Sequence, residues 1–507
     1  MPYRIFFLLL IVFVSCNSDT STPSVPTDSA IATGLKSPGN EKYRPQFHFS
    51  PKAHWMNDPN GMFYLDGTWN LYFQYYPDGT TWGPMHWGHA TSTDLISWKE
   101  EEVALFPDSL GYIFSGSAVV DKDNTSGFGK NGKTPIVAIF THHDPKGAEA
   151  KKNNYQVQSL AYSLDKGMTW VKYDGNPVLP NPGIVDFRDP KVNWNSKINQ
   201  WVMTLATKDR ITFYSSPNLK EWTRLSEFGQ KLGAHGGVWE CPDLFPLDYK
   251  GKETWVLLVS INPGGPNGGS ATQYFIGDFN GKEFIPSDTT TRFIDYGTDN
   301  YAGVTVANTG DRRVFIGWMS NWLYGEKVPT EKWRSAMTIP RTLSLKEAGG
   351  KAFLAALPVK ETEKLGTVLK DAAPEKDGKI LIAGKDSLFR LSFATQDENF
   401  EISFSNSSAE KFVIGFDKPS NRFYMDRTAA GAAGFYPAFA ARHWAPRVGN
   451  GNVKIDLLVD LASVELFADE GLTVMTDIFF PVTSFNTVSV SSANVSGIRD
   501  LKYIPIR

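Results

Sequence analysis

The sequence predicts an all-β protein in which a β-propeller is followed by a β-sandwich. Over residues 41–345, short apolar and aromatic runs alternate with turns rich in Gly, Asn, Asp and Pro, and few segments have helical periodicity. One turn signature recurs there at intervals of roughly 50–70 residues, which is typical of radially repeated blades. A change of composition near residue 346 precedes a second series of alternating segments. Together these observations indicate two β domains.

Size and composition fit a two-domain globular protein and give no sign of nucleic-acid binding. The 507 residues exceed one ordinary domain, and the net charge of −3 shows no basic excess. The 15 Trp, 19 Tyr and 34 Phe residues supply faces that stack on sugar rings, although aromatic residues also fill β cores. No Cys/His cluster has zinc-ligand spacing, so neither a metal nor another cofactor is expected.

The first 42 residues indicate an export signal and a tether. Arg4 precedes an apolar run at 5–14, which is too short to span a membrane as a helix and suits a signal peptide. The sequence FVSC at 13–16 resembles a bacterial lipoprotein processing site, with Cys16 as the lipidated residue. We therefore expect a lipoprotein signal peptide at 1–16, a flexible tether at 17–42, and a membrane-anchored exported protein at the cell surface or in the periplasm. The alternative is ordinary signal cleavage nearby with an incidental Cys16.

The recurring turn supports the propeller. Its copies are 92–98 (STDLISW), 163–170 (SLDKGMTW) and 216–222 (SPNLKEW), each between two strand-like runs. Asp66-Gly67 between two apolar runs adds a hairpin signal. Four-stranded blades in a ring explain this recurrence, while a common turn used repeatedly in a sandwich is the alternative.

Three acidic residues share one local pattern. Asp58, Asp189 and Glu240 each have a large aromatic residue within three positions, and a proline one or two positions later. Each alone is most simply a turn or cap residue. On the inner strands of a propeller, however, all three would face one central funnel, where paired carboxylates could act on a sugar.

These residues resemble the motifs of glycoside hydrolase family 32, the invertase, inulinase and levanase group. The matching stretches are 55–61 (WMNDPNG), 188–190 (RDP), 240–242 (ECP), 114–117 (FSGS) and the block from 333 to 341. The resemblance implies a five-bladed β-propeller catalytic domain at 43–345. It also implies a retaining hydrolase of β-fructofuranosyl linkages, whose two catalytic carboxyls should lie about 5–5.5 Å apart.

The resemblance assigns roles residue by residue. Asp58 would be the nucleophile, Glu240 the acid/base and Asp189 the transition-state stabiliser. Arg188 would hold substrate and carboxylate, with a structural ion pair as the alternative. The implied fructose subsite comprises Trp55, Asn57, Gln74, Trp82, Phe114, Ser115, Arg188 and Trp333. Tyr296 and Asp299 are weaker candidates, and Cys241 is expected to be a small buried thiol beside the acid.

The remaining chain is predicted to be a linker at 346–370 and a β-sandwich domain at 371–507. Alternating segments resume there, and 463–469 (SVELFAD) resembles the C-terminal sandwich of the same family. No catalytic constellation is visible in it, so a supporting role is expected, with glycan contact or dimerisation as alternatives.

The resulting hypothesis is a lipid-anchored enzyme that hydrolyses levan or inulin, and possibly sucrose. Exo action is favoured because 317–333 resembles exo-acting fructanases, where this segment helps to close the pocket. Endo cleavage, a non-catalytic glycan-binding lipoprotein and a fructosyltransferase are the alternatives. The expected partner is a fructan polysaccharide or fructo-oligosaccharide, the membrane is contacted only through the anchor, and the oligomeric state is left open.

Overall fold

A computed structural model describes residues 41–367, 379–382, 386–396, 398–492 and 494–506. The predicted signal peptide, Cys16 and all but the last two residues of the predicted tether lie outside the described residues. Almost all regular structure within them is β-strand. No helix in the described ranges is long and apolar enough to cross a membrane.

Five antiparallel sheets follow one another along the first part of the chain. The first blade contains β1 (His54–Leu65), β2 (Thr68–Tyr76), β3 (His86–Ser92) and β4 (Trp98–Glu100). The second contains β5 (Tyr112–Val120), β6 (Ile136–His143), β7 (Gln156–Ser163) and β8 (Val171–Lys172), with helix α1 (Pro145–Glu149) after β6. The third contains β9 (Phe187–Asn195), β10 (Gln200–Thr207), β11 (Ile211–Ser216) and β12 (Thr223–Phe228).

The fourth and fifth blades carry small additional strands. The fourth contains β13 (Val238–Tyr249), β14 (Lys252–Asn262), β15 (Ala271–Phe279), β16 (Phe284–Pro286) and β17 (Arg292–Phe293). The chain then forms β18 (Tyr301–Thr305), β19 (Val314–Met319), β20 (Trp333–Arg334), β21 (Ala336–Met337), β22 (Arg341–Ala348) and β23 (Lys351–Pro358). Of these, β20 pairs with β1 of the first blade, and the others build the fifth.

The innermost strands close into a ring. β1 packs beside β5 and β18, β9 lies between β5 and β13, and β13 also packs against β18. The parallel pairing of β20 with β1 ties the last part of the propeller back to the first blade. This arrangement confirms the predicted five-bladed propeller.

The recurring turn connects the third and fourth strands of the first three blades. In each copy the Ser side chain at the strand end accepts backbone N–H groups, as Ser92 does from Leu95 over 2.8 Å. The residue at Leu95, Lys166 or Leu219 has a positive φ of 65°, 63° or 65°. Local side-chain hydrogen bonds therefore fix the turn in the same conformation each time.

The second domain is a sandwich of two antiparallel sheets, which confirms the predicted fold class. Its strands are β24 (Lys379–Ile382), β25 (Phe389–Thr395), β26 (Phe400–Ser405), β27 (Lys411–Asp417), β28 (Arg422–Ala429), β29 (Arg442–Pro446), β30 (Val453–Asp460), β31 (Ser463–Ala468), β32 (Thr473–Ile478), β33 (Thr487–Ser492) and β34 (Arg499–Pro505). The sheet orders are β24-β33-β26-β27-β28-β29 and β32-β31-β30-β25-β34. Alternate residues of both sheets face a shared apolar core.

The predicted linker begins inside the propeller. The hairpin β22–β23 completes the fifth blade, and a 3₁₀ turn (Lys360–Leu365) follows it. The charged, glycine-containing stretch at 346–351 is the exposed end of this hairpin, because Leu343 and Leu354 on either side are buried. Residues 368–378 of the predicted linker and sandwich lie outside the described ranges.

The two domains share a core and buried ion pairs. Phe315 and Ile339 of the propeller cluster with Leu458 and Phe467 of the sandwich. Arg341 lies in an ion pair with Glu465 over 2.5 Å, and both side chains are fully buried. The sandwich is thus packed onto the propeller rather than tethered to it.

Candidate active site

Each of the five innermost strands is irregular at the same level of the propeller. Register shifts follow Met56 in β1, Ile113 in β5, Arg188 in β9, Glu240 in β13 and Tyr301 in β18. A β-bulge re-aims side chains and accommodates a proline, which cannot donate to a regular ladder. The prolines that follow the three acids in sequence therefore lie at or beside bulges.

These bulges surround a cavity of about 280 Å³ at the end of the propeller where the innermost strands begin. Its wall contains Asn57, Asp58, Gln74, Trp82, Phe114, Ser115, His143, Tyr155, Gln156, Asp186, Arg188, Asp189, Glu240 and Trp322. All three predicted catalytic acids are in this set, each from a different blade. Residues far apart in sequence thus converge because the ring brings the starts of their strands together.

Asp58 is held by uncharged donors. Asn57 Nδ2 donates to Asp58 Oδ1 over 2.9 Å, and the Ser115 hydroxyl donates to Oδ2 over 2.7 Å. The Cys241 thiol lies 3.5 Å from the same Oδ2. Asn57 is oriented in turn by the Trp55 indole N–H, which donates to Asn57 Oδ1 over 2.7 Å. The carboxylate therefore has a fixed orientation without a neutralising cation.

Glu240 is held by a cation and a phenol. Arg188 Nε and Nη2 donate to Glu240 Oε1 over 3.1 Å and 2.9 Å, and the Tyr301 hydroxyl donates to Oε2. Arg188 Nη1 donates to Asp186 over 2.5 Å, so one guanidinium joins two acids of the cavity wall. This fork fixes the plane of the Glu240 carboxyl group.

Asp189 is held by contacts with Thr141 and Cys241. Its backbone has φ of +63°, a strained conformation for a residue with a Cβ, and its N–H donates to Thr141 Oγ1 over 3.0 Å. Asp189 Oδ2 accepts the backbone N–H of Cys241 over 3.0 Å and lies 3.6 Å from the thiol. Cys241 is thus the small buried thiol expected beside the acid, and it separates Asp58 from Asp189.

Burial and mutual repulsion set the electrostatics of the site. Burial raises the pKa of Asp58, the Glu240 carboxylate adds to this effect, and the donors Asn57 and Ser115 oppose it. Burial also raises the pKa of Asp189 to about 7, where Arg188 acts in the opposite direction and the two neighbouring acids reinforce the rise. Such shifts are typical of carboxyl groups gathered for acid–base work on one substrate.

Most predicted subsite residues do line the cavity. Gln74 is 2% exposed, and its Nε2 has no hydrogen-bond partner among the described residues, so a donor is available at this wall. Phe114 stacks on His143 with ring centroids 4.3 Å apart, and Trp82 meets Phe114 edge-on at 6.1 Å. Trp82 is 38% exposed and stands at the rim.

Two predicted tryptophans are absent from the cavity wall. Trp55 is fully buried behind it, where it supports Asn57 and packs against Trp322 at 5.7 Å. Trp333 is 4% exposed and lies under the Arg44 guanidinium, 4.6 Å from it, beside a different small cavity between the domains. The weaker candidates Tyr296 and Asp299 also lie at the domain interface, where Asp299 pairs with Arg427 over 2.9 Å.

Several wall residues were not singled out from the sequence. Only the ring closure brings together His143, Tyr155 and Gln156 of the wall and Tyr301, which donates to Glu240, because none of them has a distinctive motif around it. Asp186 could have been noted because it lies two positions before Arg188 in the sequence. No group of three or more His, Cys, Asp or Glu side chains in the described ranges is arranged to hold a metal ion.

Comparison with known proteins identifies the family. The chain matches the glycosyl hydrolases family 32 N-terminal domain over residues 48–356 and the family's C-terminal domain over 358–505. It is 46% identical to a levanase of Bacillus subtilis over 477 residues, which are 90% of this chain and 69% of the levanase. It is 40% identical to an extracellular exo-inulinase of Aspergillus ficuum over 87% of this chain and 90% of that protein.

The fold agrees with a solved structure of the same group. The crystal structure of an exo-inulinase from Aspergillus awamori superposes with a TM-score of 0.84 at 37% identity, covering 92% of this chain and 99% of that one. Family matches across both domains, three acids around one cavity and this structural likeness all agree. The chain belongs to glycoside hydrolase family 32.

Proposed function

We propose that this protein hydrolyses β-fructofuranosyl linkages of levan- or inulin-type fructans with retention of configuration, releasing fructose from chain ends. The observation that carries the proposal is the convergence of Asp58, Asp189 and Glu240, each from a different innermost strand, on one cavity of about 280 Å³. The names of the similar proteins, a levanase and exo-inulinases, support fructan as the substrate class.

The reaction follows from how the acids are held. An Asp58 oxygen attacks the anomeric carbon, while Glu240 gives its proton to the departing glycosidic oxygen, and a fructosyl ester forms on Asp58. Glu240, now a carboxylate, removes a proton from water, whose oxygen attacks the same carbon and releases Asp58. Two displacements return the original configuration at the anomeric carbon.

Asp189 and Arg188 would act on the sugar rather than on the bond. Asp189 is held rigidly by Thr141 and Cys241. Its free oxygen can therefore accept hydrogen bonds from hydroxyl groups of the sugar as positive charge develops on the ring in the transition state. The Arg188 guanidinium donates hydrogen bonds to both Glu240 and Asp186. It therefore connects the acid/base to a second acid of the wall that faces the substrate.

The size of the cavity supports exo action. The volume is near the lower limit for small-ligand sites, and Trp82, Phe114 and Trp322 form aromatic walls around it. Such a pocket suits one terminal sugar better than the interior of a chain.

Early reaction products test this proposal. Chromatography of levan, inulin and sucrose digests should show fructose first, without long oligosaccharides, and digests containing methanol should yield methyl β-fructofuranoside. Asp58→Asn should lose at least about 10³-fold in kcat, whereas Asp66→Asn, in an exposed turn, should retain parental activity. Long oligosaccharides ahead of fructose would exclude exo action, and full activity of Asp58→Asn would exclude the mechanism.

We also propose that the protein is exported and anchored through a lipid on Cys16, with the sandwich domain supporting the propeller. The extracellular exo-inulinases among its relatives support export, and the FVSC sequence supports the anchor. Metabolic labelling with a clickable fatty acid should mark the parental protein and leave Cys16→Ser unlabelled. Equal labelling of both would rule out this anchor.

A further inference from the structure

The end of the propeller opposite the active site carries a groove. It consists of two adjoining clefts, of about 250 Å³ and about 280 Å³, that share Asn193, Trp194, Ala307 and Asn308. We call these two clefts together the Trp194 groove. It lies beside the C-terminal parts of β5, β9 and β13, whereas the active site lies beside their N-terminal parts.

The Trp194 groove is separate from the catalytic cavity. Asp189 and Trp194 are five positions apart on β9, which corresponds to about 17 Å along a strand. Between them, the buried Lys191 donates to the Thr305 carbonyl and lies 3.3 Å from Asp243, which is also buried. This buried pair lies on the inner strands β9 and β13, so packed side chains separate the groove from the catalytic cavity.

Trp194 offers a fixed aromatic face. Its side chain is 38% exposed, and the edge of Trp201 meets it with ring centroids 5.1 Å apart at 72°. Trp201 is itself anchored, since its indole N–H donates to Thr125 Oγ1 over 2.8 Å. An indole held on one side and exposed on the other is a suitable platform for the apolar face of a sugar ring.

The polar groups around this platform suit hydroxyl groups. Asn193 Nδ2 donates to the Leu244 carbonyl over 3.1 Å, and Asn308 Nδ2 donates to the Tyr64 carbonyl over 2.8 Å, so both amides are held in place. Asn195 at the floor of one cleft is 5% exposed, and its Nδ2 has no acceptor among the described residues. A ligand hydroxyl seated there would supply an acceptor.

The charges of the Trp194 groove do not favour an ionic ligand. Asp121, Lys122 and Asp123 lie in one cleft, and Glu253, Lys197 and Arg313 lie in the other, with Lys197 paired to Glu253 over 2.6 Å. A phosphate polymer or an anionic lipid surface would require an excess of basic groups. Mixed charges, planar amides and an exposed indole suit a neutral polyhydroxylated chain.

We infer that the Trp194 groove is a second carbohydrate-binding site, which holds a stretch of the same β-fructan polymer whose ends are cleaved at the opposite end of the propeller. This inference rests on the proposed function for the identity of the polymer. Binding at a second point keeps the enzyme on one polymer particle between cleavages, which raises the effective concentration of chain ends.

Gel retardation by levan or inulin, combined with initial rates, tests the inference. Retardation is measured in the Asp58→Asn background, where the polymer is not consumed. Adding Trp194→Ala should reduce retardation about fivefold, and adding Ser196→Arg, which places bulk at an exposed position of the cleft, should do the same. Trp194→Phe should retain part of the effect. Ile285→Ala, an exposed apolar residue on the outer strand β16, is the control and should change nothing.

Rates of the active enzyme supply the second readout. The ratio of the initial rate on polymer to that on sucrose should fall about threefold or more in Trp194→Ala and Ser196→Arg. Unchanged retardation in both variants overturns the inference, as does an equal loss of rate on sucrose and polymer, which would indicate a structural role. If the parental enzyme hydrolyses no fructan, the proposed function fails by itself, and the retardation difference alone then decides on the Trp194 groove.

Discussion

The three acids differ chiefly in what holds them. Asp58 accepts hydrogen bonds from an amide and a hydroxyl, whereas Glu240 accepts from a guanidinium and a phenol. A nucleophile must keep a lone pair available, and uncharged donors orient the carboxylate without neutralising it. The contacts of Asp58 therefore match the role proposed for it.

Removing the Ser115 hydroxyl should shift the pH dependence of Asp58. The hydrogen bond from Ser115 opposes the burial that raises the pKa of Asp58, so Asp58 should ionise at higher pH in Ser115→Ala. With β-fructosyl fluoride, whose leaving group needs no acid, the acidic limb of kcat/KM should move up by about half a unit or more. Gln74→Ala, which removes a neutral wall residue, should leave that limb in place. A downward shift in Ser115→Ala would contradict this role of the hydroxyl.

Asp189 should weaken the fold at neutral pH. Its pKa is raised to about 7, compared with about 3.9 in an unfolded chain. A raised carboxyl pKa contributes stability that is fully present below about pH 4 and is lost as the pH rises through 7. The free energy of unfolding of Asp189→Asn, compared with that of the parent, should therefore be about 2–4 kcal/mol higher at pH 7.5 than at pH 4. Urea unfolding at both pH values measures this gain, and a difference that does not depend on pH would contradict it.

Sequence motifs identified the side chains that lie beside a proline at a bulge, because proline and its neighbours leave a local signal. They could not identify Tyr301, whose phenol reaches Glu240 only through the ring closure of the propeller. They also placed Trp333 in the subsite, although that indole stacks under Arg44. Backbone position was predictable there, but the direction of the side chain was not.

The bulges on the innermost strands turn the site side chains towards the cavity. In β5, Ser115 lies in the bulge and Gly116 follows it. A Cβ at Gly116 would lie 2.1 Å from the Ile139 carbonyl oxygen and 2.6 Å from the Phe140 Cα, both part of the neighbouring strand's backbone. The strand pair fits together only because this residue has no side chain.

Gly116→Ala should therefore damage both stability and activity. The backbone has to shift beside Ser115, the donor to Asp58, so we expect a loss of about 2 kcal/mol or more in stability and about tenfold or more in kcat. Gly434→Ala is the control, since a Cβ there would meet nothing within 4 Å. Thermal unfolding and sucrose hydrolysis measure the two effects. Parental values for Gly116→Ala would show that the bulge does not constrain the site.

The strands were predictable where a local signal recurs. The Ser-initiated turn identified the outer strands of three blades, because its side-chain hydrogen bonds depend only on neighbouring residues. The fourth and fifth blades lack this turn in the predicted form, so their number was implied by the family resemblance alone. The end of β22 and all of β23 were mistaken for a linker because the exposed end of this hairpin is charged and rich in glycine.

The propeller and the sandwich are joined by charges that neither domain could bury alone. His48 Nδ1 lies 2.8 Å from Asp460, and its Nε2 lies 2.9 Å from Glu465, which also pairs with Arg341. Breaking a buried pair of this kind leaves an uncompensated charge at the interface. We therefore expect the two domains to unfold together.

The charge on His48 should make this junction sensitive to alkaline pH. Although burial opposes protonation, Asp460 and Glu465 raise the pKa of His48 to about 9, above the value of about 6.5 in an unfolded chain. Its contribution, about 3 kcal/mol, is fully present below pH 6.5 and is lost as the pH rises through 9. Between pH 6.5 and pH 9, the free energy of unfolding measured in urea should fall by about 3 kcal/mol more in the parent than in His48→Gln. Equal slopes for the two proteins would contradict the assignment.

The most direct measurement of the mechanism is mass spectrometry of the trapped enzyme. Glu240→Gln incubated with β-fructosyl fluoride should form the fructosyl ester but hydrolyse it slowly, since the base that activates water is missing. We expect one added fructosyl group, and digestion should place it on the peptide that contains Asp58. An adduct on a different residue, or rapid turnover of the fluoride to the inverted product, would contradict catalysis by double displacement at Asp58.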